Sequence, residues 1–151
     1  MKRCRSVRLL GLALLLVLAA LLLACAEQRS EEPEKQSALI EQGEALYDAN
    51  CRSCHGGATG GQMMDIPPPH NSNGHTWHHA DCQLKEIVLN GSGEMGEMMR
   101  EMMGASPDTP RMPAFKGQLT EKEVEAVLAY IKTLWAVEQR DVQARMTEAR
   151  C

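Results

Sequence analysis

Ala49-Asn50-Cys51-Arg52-Ser53-Cys54-His55-Gly56-Gly57 sets two cysteines three positions apart, with a histidine directly behind the second. Ahead of it, Leu39, Ile40, Gly43, Leu46 and Tyr47 recur at steps of three and four. That period predicts a helix capped by Ser37 and stopping near Asn50. Behind it, residues 56–73 hold Gly56, Gly57, Thr59, Gly60, Gly61 and Pro67-Pro68-Pro69, the composition of a loop. Two thiols at this spacing followed at once by an imidazole form the attachment signature of c-type haem. Each thiol adds to a vinyl group on the porphyrin edge, and His55 then lies beneath the iron as its proximal ligand.

Further along, Asp81 is positioned to cap a helix with an apolar face of Leu84, Ile87 and Val88 that ends at Asn90-Gly91. A methionine-rich stretch over residues 94–103 reads as a short helix, broken by Pro107, Pro110 and Pro113. Thr120 and Glu123 form a capping box before Val124, Val127, Leu128, Ile131, Leu134 and Trp135. Beyond Val137 the apolar period thins, which makes residues 138–151 a polar tail, helical or frayed. No stretch alternates with a period of two, so the fold class is all-α.

The amino terminus carries Lys2, Arg3, Arg5 and Arg8, then an unbroken apolar run from Leu9 to Leu23. A membrane span needs ~20 such residues; this run suits the core of a secretory signal over residues 1–24. Leu22-Leu23-Ala24-Cys25 resembles the lipobox of bacterial lipoproteins, which makes Cys25 the expected lipidation site. The protein is thus expected to be exported and held by lipid on an extracytoplasmic or periplasmic membrane face. Residues 25–36, with Glu27, Glu31, Glu32 and Glu34 around Pro33, read as an acidic tether ahead of a domain over residues 37–137. Of 16 basic residues four leave with the signal, so 12 face 20 acidic ones, a balance of −8. That sign opposes nucleic-acid binding. Only Tyr47, Trp77, Phe115, Tyr130 and Trp135 are aromatic, a thin core that a cofactor can staple.

Two other readings of the cysteines compete. A redox dithiol of Cys51 and Cys54 expects a βαβ context, which is not visible. A zinc site could use Cys51, Cys54, His79 and Cys82. Neither accounts for His55 or for methionine in a proline-rich segment.

The chain resembles a small monohaem class I cytochrome c of bacterial lipoprotein type over about residues 39–135. Three pieces carry the likeness: the helix with Gly43 and Tyr47 leading into Cys51, Cys54 and His55; Met112-Pro113-Ala114-Phe115; and the last helix with Ala129-Tyr130-Ile131. Gly74-His75-Thr76-Trp77-His78-His79 is similar to a segment of bacterial cytochromes of this kind. The resemblance implies a cytochrome c-like helical domain wrapped around one covalently attached haem c, with the first and last helices crossing closely at Gly43 and Tyr130 packing near. It implies a distal thioether ligand, and of eight methionines from Met63 to Met112 the Pro113-stiffened Met112 is favoured over Met103 or a histidine. It also implies that a carbonyl of the proline run, assigned to Pro67, orients His55, and that Trp77 donates to a haem propionate; a core role is the alternative for Trp77.

The function that follows is a carrier of single electrons between respiratory or other redox partners, not an enzyme. Its acidic surface calls for membrane-associated partners with basic docking patches. A rival function arises from His70, His75, His78 and His79 with Met95, Met98, Met99, Met102 and Met103, since imidazole suits Cu(II) and thioethers suit Cu(I). His78, His79, Met98 and Met102 are the candidate copper ligands. Against this, the Met98 and Met102 stripe can line a core or a haem crevice, and the histidines can bond propionates or cap a helix. A third reading is a haem with a labile sixth ligand. Cys82 and Cys151 are left over, to pair with each other or to link two chains.

Overall fold

The computed structural model describes residues 32–151 apart from Met64, Pro107, Thr109 and Pro110. The expected signal peptide, the lipidation site Cys25 and residues 25–31 of the tether lie outside the described residues. Leu39–Cys151 form a compact unit. Helix α1 covers residues 32–50, α2 is the single turn Arg52–His55, and a 3-10 turn follows at Thr76–His78. Then come α3 Asp81–Asn90, α4 Gly93–Met102, α5 Glu121–Thr133 and α6 Val137–Arg150. Among the described residues no strand occurs; Lys116 and Leu119 form an isolated bridge. The fold is all-α.

The core is built where the helical periods placed it. Val124, Val127, Leu128, Ile131 and Trp135 are buried with Tyr47, Leu84, Val88, Phe115 and Leu119 in one cluster. Gly43 carries the approach of α1 to α5: a Cβ there would lie 1.9 Å from the Ala126 carbonyl oxygen and 3.1 Å from Tyr130 Cβ. Tyr47 and Tyr130 meet with ring centroids 5.2 Å apart.

The amino end of α5 has the expected box. Thr120 Oγ1 accepts from Glu123 N at 3.3 Å, and Glu123 Oε2 accepts from Thr120 N at 2.7 Å. The Thr120 amide and hydroxyl hold the Glu123 carboxyl below the ordinary glutamate range. Thr120→Ala is expected to cost about 1 kcal/mol. Urea melts check this, and an unchanged midpoint would refute it.

Three expectations need correction. Helix α1 is already under way at residue 32, so residues 32–36 of the expected tether are helical and Ser37 lies inside the helix. Glu, Lys and Gln propagate a helix well without an apolar period. Asp81 does not cap α3: Ala80 is the N-cap, and its N–H donates to Gln83 Oε1 at 3.2 Å. The Asp81 carboxylate instead accepts from Lys132 Nζ and from Gln143 Nε2, each at 2.6 Å. Of the apolar face of α3, Leu84 and Val88 are buried, but Ile87 is 37 % exposed.

Residues 137–150 form a packed helix rather than a frayed end. Gln143, only 2 % exposed, donates to the His79 carbonyl at 3.3 Å and to Thr147 Oγ1 at 3.0 Å, besides Asp81. Thr147 Oγ1 accepts from Asp81 N at 3.0 Å, and Gln139 Nε2 donates to the Ser72 carbonyl at 2.9 Å. Cys82 and Cys151 are joined by a disulfide across a sequence separation of 69. Helix α6 is thereby fastened over the 3-10 turn and the start of α3.

Candidate functional site

Helix α1 ends one residue short of Cys51, and the chain restarts at once as α2. The His55 N–H donates to the Cys51 carbonyl at 3.0 Å, and the Gly56 N–H to that of Arg52 at 2.9 Å. Gly56, at φ 71°, stops the turn in a conformation that disfavours a side chain. Tyr47 braces it from α1, its hydroxyl donating to the Gly56 carbonyl at 2.9 Å. Arg52 closes the outside, with Nε donating to Asp48 at 2.6 Å and Nη2 to the Tyr130 hydroxyl at 3.3 Å.

Cys51 and Cys54 are both free thiols, the first buried and the second exposed. Burial, then the neighbouring Cys54, pushes the Cys51 thiol up to about 11, so it stands as the neutral thiol. His55 Nδ1 lies 2.7 Å from the Pro68 carbonyl oxygen. A carbonyl only accepts, so Nδ1 carries the proton and Nε2 is left with a free lone pair. Burial lowers the pKa of this imidazole, with the Pro68 bond opposing, and so favours the neutral ring. The carbonyl is thus that of Pro68, not of Pro67. An extended proline run turns successive carbonyls to different sides, and spacing alone does not select among them.

The glycine-rich loop is pinned by a residue that sequence reasoning passed over. Asn71, 1 % exposed, donates through Nδ2 to the carbonyls of Gly57 and Gly60, both at 3.0 Å, and accepts from Asn73 N at 2.9 Å. Cys54, His55, Thr59, Gly60, Pro67 and Pro69 line an open cleft beside it. An Asn embedded among glycines and prolines was the available signal.

Met112 is held from α3. The amides of Phe115 and Lys116 donate to the carbonyls of Val88 and Leu89 at 3.1 and 2.9 Å. Gly91, at φ 77°, lets the Met112 carbonyl pass where a Cβ would lie 2.8 Å from it. Met112 and Trp77 pack, partly buried, against the core cluster that also contains Cys51. The indole N–H of Trp77 donates to the Gly74 carbonyl at 2.9 Å, and its ring lies 3.6 Å from that of His78. The donor expected to reach a propionate is here bonded within its own turn, because the 3-10 geometry returns the ring onto residue 74.

The histidines do not stay together. His78 is exposed, while His75 and His79 have ring centroids 5.8 Å apart. His70 leaves them and is buried against His55, with centroids 3.9 Å apart and planes at 15°. Met98 and Met102 are 57 % and 71 % exposed, so they are not packed into the protein's own core. Among the described residues no group of three His, Cys, Asp or Glu side chains converges on a metal position, so His78 and His79 belong to no preformed site of that kind. No described helix is long and apolar enough to cross a membrane.

The family model for cytochrome c matches residues 40–135. Among curated proteins, the chain is 33 % identical over 125 residues to the dihydro-heme d1 dehydrogenase of Pseudomonas aeruginosa, covering 82 % of this chain and 18 % of that protein. It is 25 % identical over 109 residues to the cbb3-type cytochrome c oxidase subunit FixP of Sinorhizobium medicae, covering 72 % of this chain and 34 % of that subunit. The chain therefore spans about a fifth and a third of these two relatives. No solved structure matches. The match covers the helix before the cysteines, the signature, the Met112 segment and the capped last core helix. This chain accordingly belongs to the cytochrome c family, as a class I c-type cytochrome: an electron-transfer protein of a family that carries covalently bound haem c.

Proposed function

We propose that the chain is a lipid-anchored carrier of single electrons outside the cytoplasm, and not an enzyme. The observation that carries this reading is the 2.7 Å bond from His55 Nδ1 to the Pro68 carbonyl beside two free thiols. This donor set fits haem c. Cys51 and Cys54 would hold the porphyrin edge as thioethers, His55 would ligate iron through Nε2, and Met112 would supply the distal thioether. When bound, the group supplies reversible ferric–ferrous chemistry.

Each residue has a definite task in this. The Pro68 carbonyl orients His55 and makes it a better donor. Met112, as the distal ligand, would stabilise the ferrous state and raise the potential, as suits a carrier. Asn71 and Tyr47 keep the loop and the turn in place around the thiols. With Met112 as a ligand the iron would have no open position for a substrate, in keeping with electron transfer rather than ligand chemistry.

The lipobox-like residues ending in Cys25 support attachment to a membrane, and the relative that is an oxidase subunit supports a redox partner of that kind. The balance of −8 past residue 24 supports a partner with a basic patch.

The experiment is a one-electron redox titration of the purified protein, followed by denaturing extraction of haem. We expect reversible titration and haem that stays with the chain, but is extracted from Cys51→Ala/Cys54→Ala. Haem extractable from the wild type would contradict the reading. Electron exchange with a basic partner is expected to slow as salt rises, since exposed charges are screened beyond a Debye length of about 8 Å at physiological ionic strength. A rate unchanged by salt would refute the steering.

A further inference from the structure

His70 is a buried histidine to which the proposed function gives no task. It is 9 % exposed, and its backbone carbonyl accepts from Trp135 Nε1 at 2.8 Å, which ties it to the end of α5. Tyr47 closes a second side, with ring centroids 5.8 Å apart. The remaining face lies parallel to His55 at 3.9 Å. His70 Nδ1 is buried without a hydrogen-bond partner. Leaving such an atom unpaired costs about 1–3 kcal/mol, so packing rather than a bond at Nδ1 keeps the ring where it is.

The His55 ring needs what this face provides. Its hydrogen bond to Pro68 fixes the position of Nδ1 but leaves the ring plane able to turn about the line of that bond. A flat ring lying against one face removes this freedom; a branched aliphatic side chain, offering no plane, does not. The neighbouring residue is itself anchored, its backbone by Trp135 and its ring by Tyr47, so the restraint comes from the core.

We propose that His70 is a positioning residue for His55, its parallel ring setting the plane of the ligand imidazole. The inference rests on His55 being the iron ligand. The orientation of a ligand plane governs how spin density is distributed over the porphyrin, so the pattern of haem-methyl proton shifts in the ferric protein reads it directly.

The test uses the haem-loaded full chain with His70→Phe, His70→Gln and His70→Leu. We expect the phenylalanine variant to keep the wild-type order of haem-methyl shifts, and the glutamine and leucine variants to reorder them while the haem stays low-spin. Wild-type order in the leucine variant would overturn the proposal. Wild-type order in the glutamine variant with reordering in the phenylalanine variant would overturn it too, in favour of a polar contact. If no variant takes up haem, the ferrous wild type decides. Nuclear Overhauser contacts between the ring protons of His70 and His55 support the stack, and their absence refutes it. Ligand-imidazole resonances in the wild type that belong to another histidine would instead show that the reading of His55 is at fault, independently of His70.

Discussion

Gly43→Ala is expected to destabilise the domain by about 3 kcal/mol or more, the upper range for overpacking a well-filled core. Helix propensity alone predicts the reverse, since Ala in a helix interior is favoured over Gly by roughly 0.5–1 kcal/mol. Geometry decides the sign. The added methyl carbon would sit 1.9 Å from the backbone oxygen of Ala126, which cannot swing aside as a side chain can. Helices α1 and α5 would have to part by roughly 1 Å, loosening contacts that weaken steeply with small gaps. Tyr47 and Tyr130 lie on that crossing, so the brace on Gly56 loosens with it. Urea melts of the haem-loaded protein check this. A midpoint equal to or above that of the wild type would show that the crossing is less tight than described.

Removing the disulfide is the second large effect. Cys82→Ser/Cys151→Ser is expected to cost about 2–4 kcal/mol, because the bridge closes a long loop and restricts the unfolded chain. In a domain of this size that corresponds to a melting point lower by roughly 10 °C. Helix α6 has only Val142 and Met146 half-buried on its inner face; apart from these and the bridge it depends on polar contacts of Gln139, Gln143 and Thr147. Thiol reductant is therefore expected to lower the melting point of the wild type and to leave the double variant unchanged. Equal melting points for the two proteins without reductant would refute a stabilising bridge.

Much of the domain was legible because its elements obey local rules. The capping box at Thr120 and Glu123 and the apolar period behind it define α5 without tertiary knowledge, and Asn90-Gly91 marks the end of α3. The signature residues carry their chemistry in their spacing. What escaped depends on distant partners. Asp81 is a good capping residue locally, yet Lys132 and Gln143 claim its carboxylate. Helix α6 buries Gln143, a residue that no hydrophobic period can reveal. His70 stands among the loop histidines in sequence, and only the path of the proline run brings its ring to His55. The pairing of Cys82 with Cys151 likewise exists only once α6 lies across α3.

In the proposed function, Cys51 and Cys54 hold a haem between His55 and Met112. The most direct test of this is the visible and near-infrared spectrum of the ferric protein beside that of Met112→Ala. A sulfur-to-iron charge-transfer band is expected in the wild type and is lost in the variant. A band that persists in the variant, or none in the wild type, would contradict Met112 as the distal ligand.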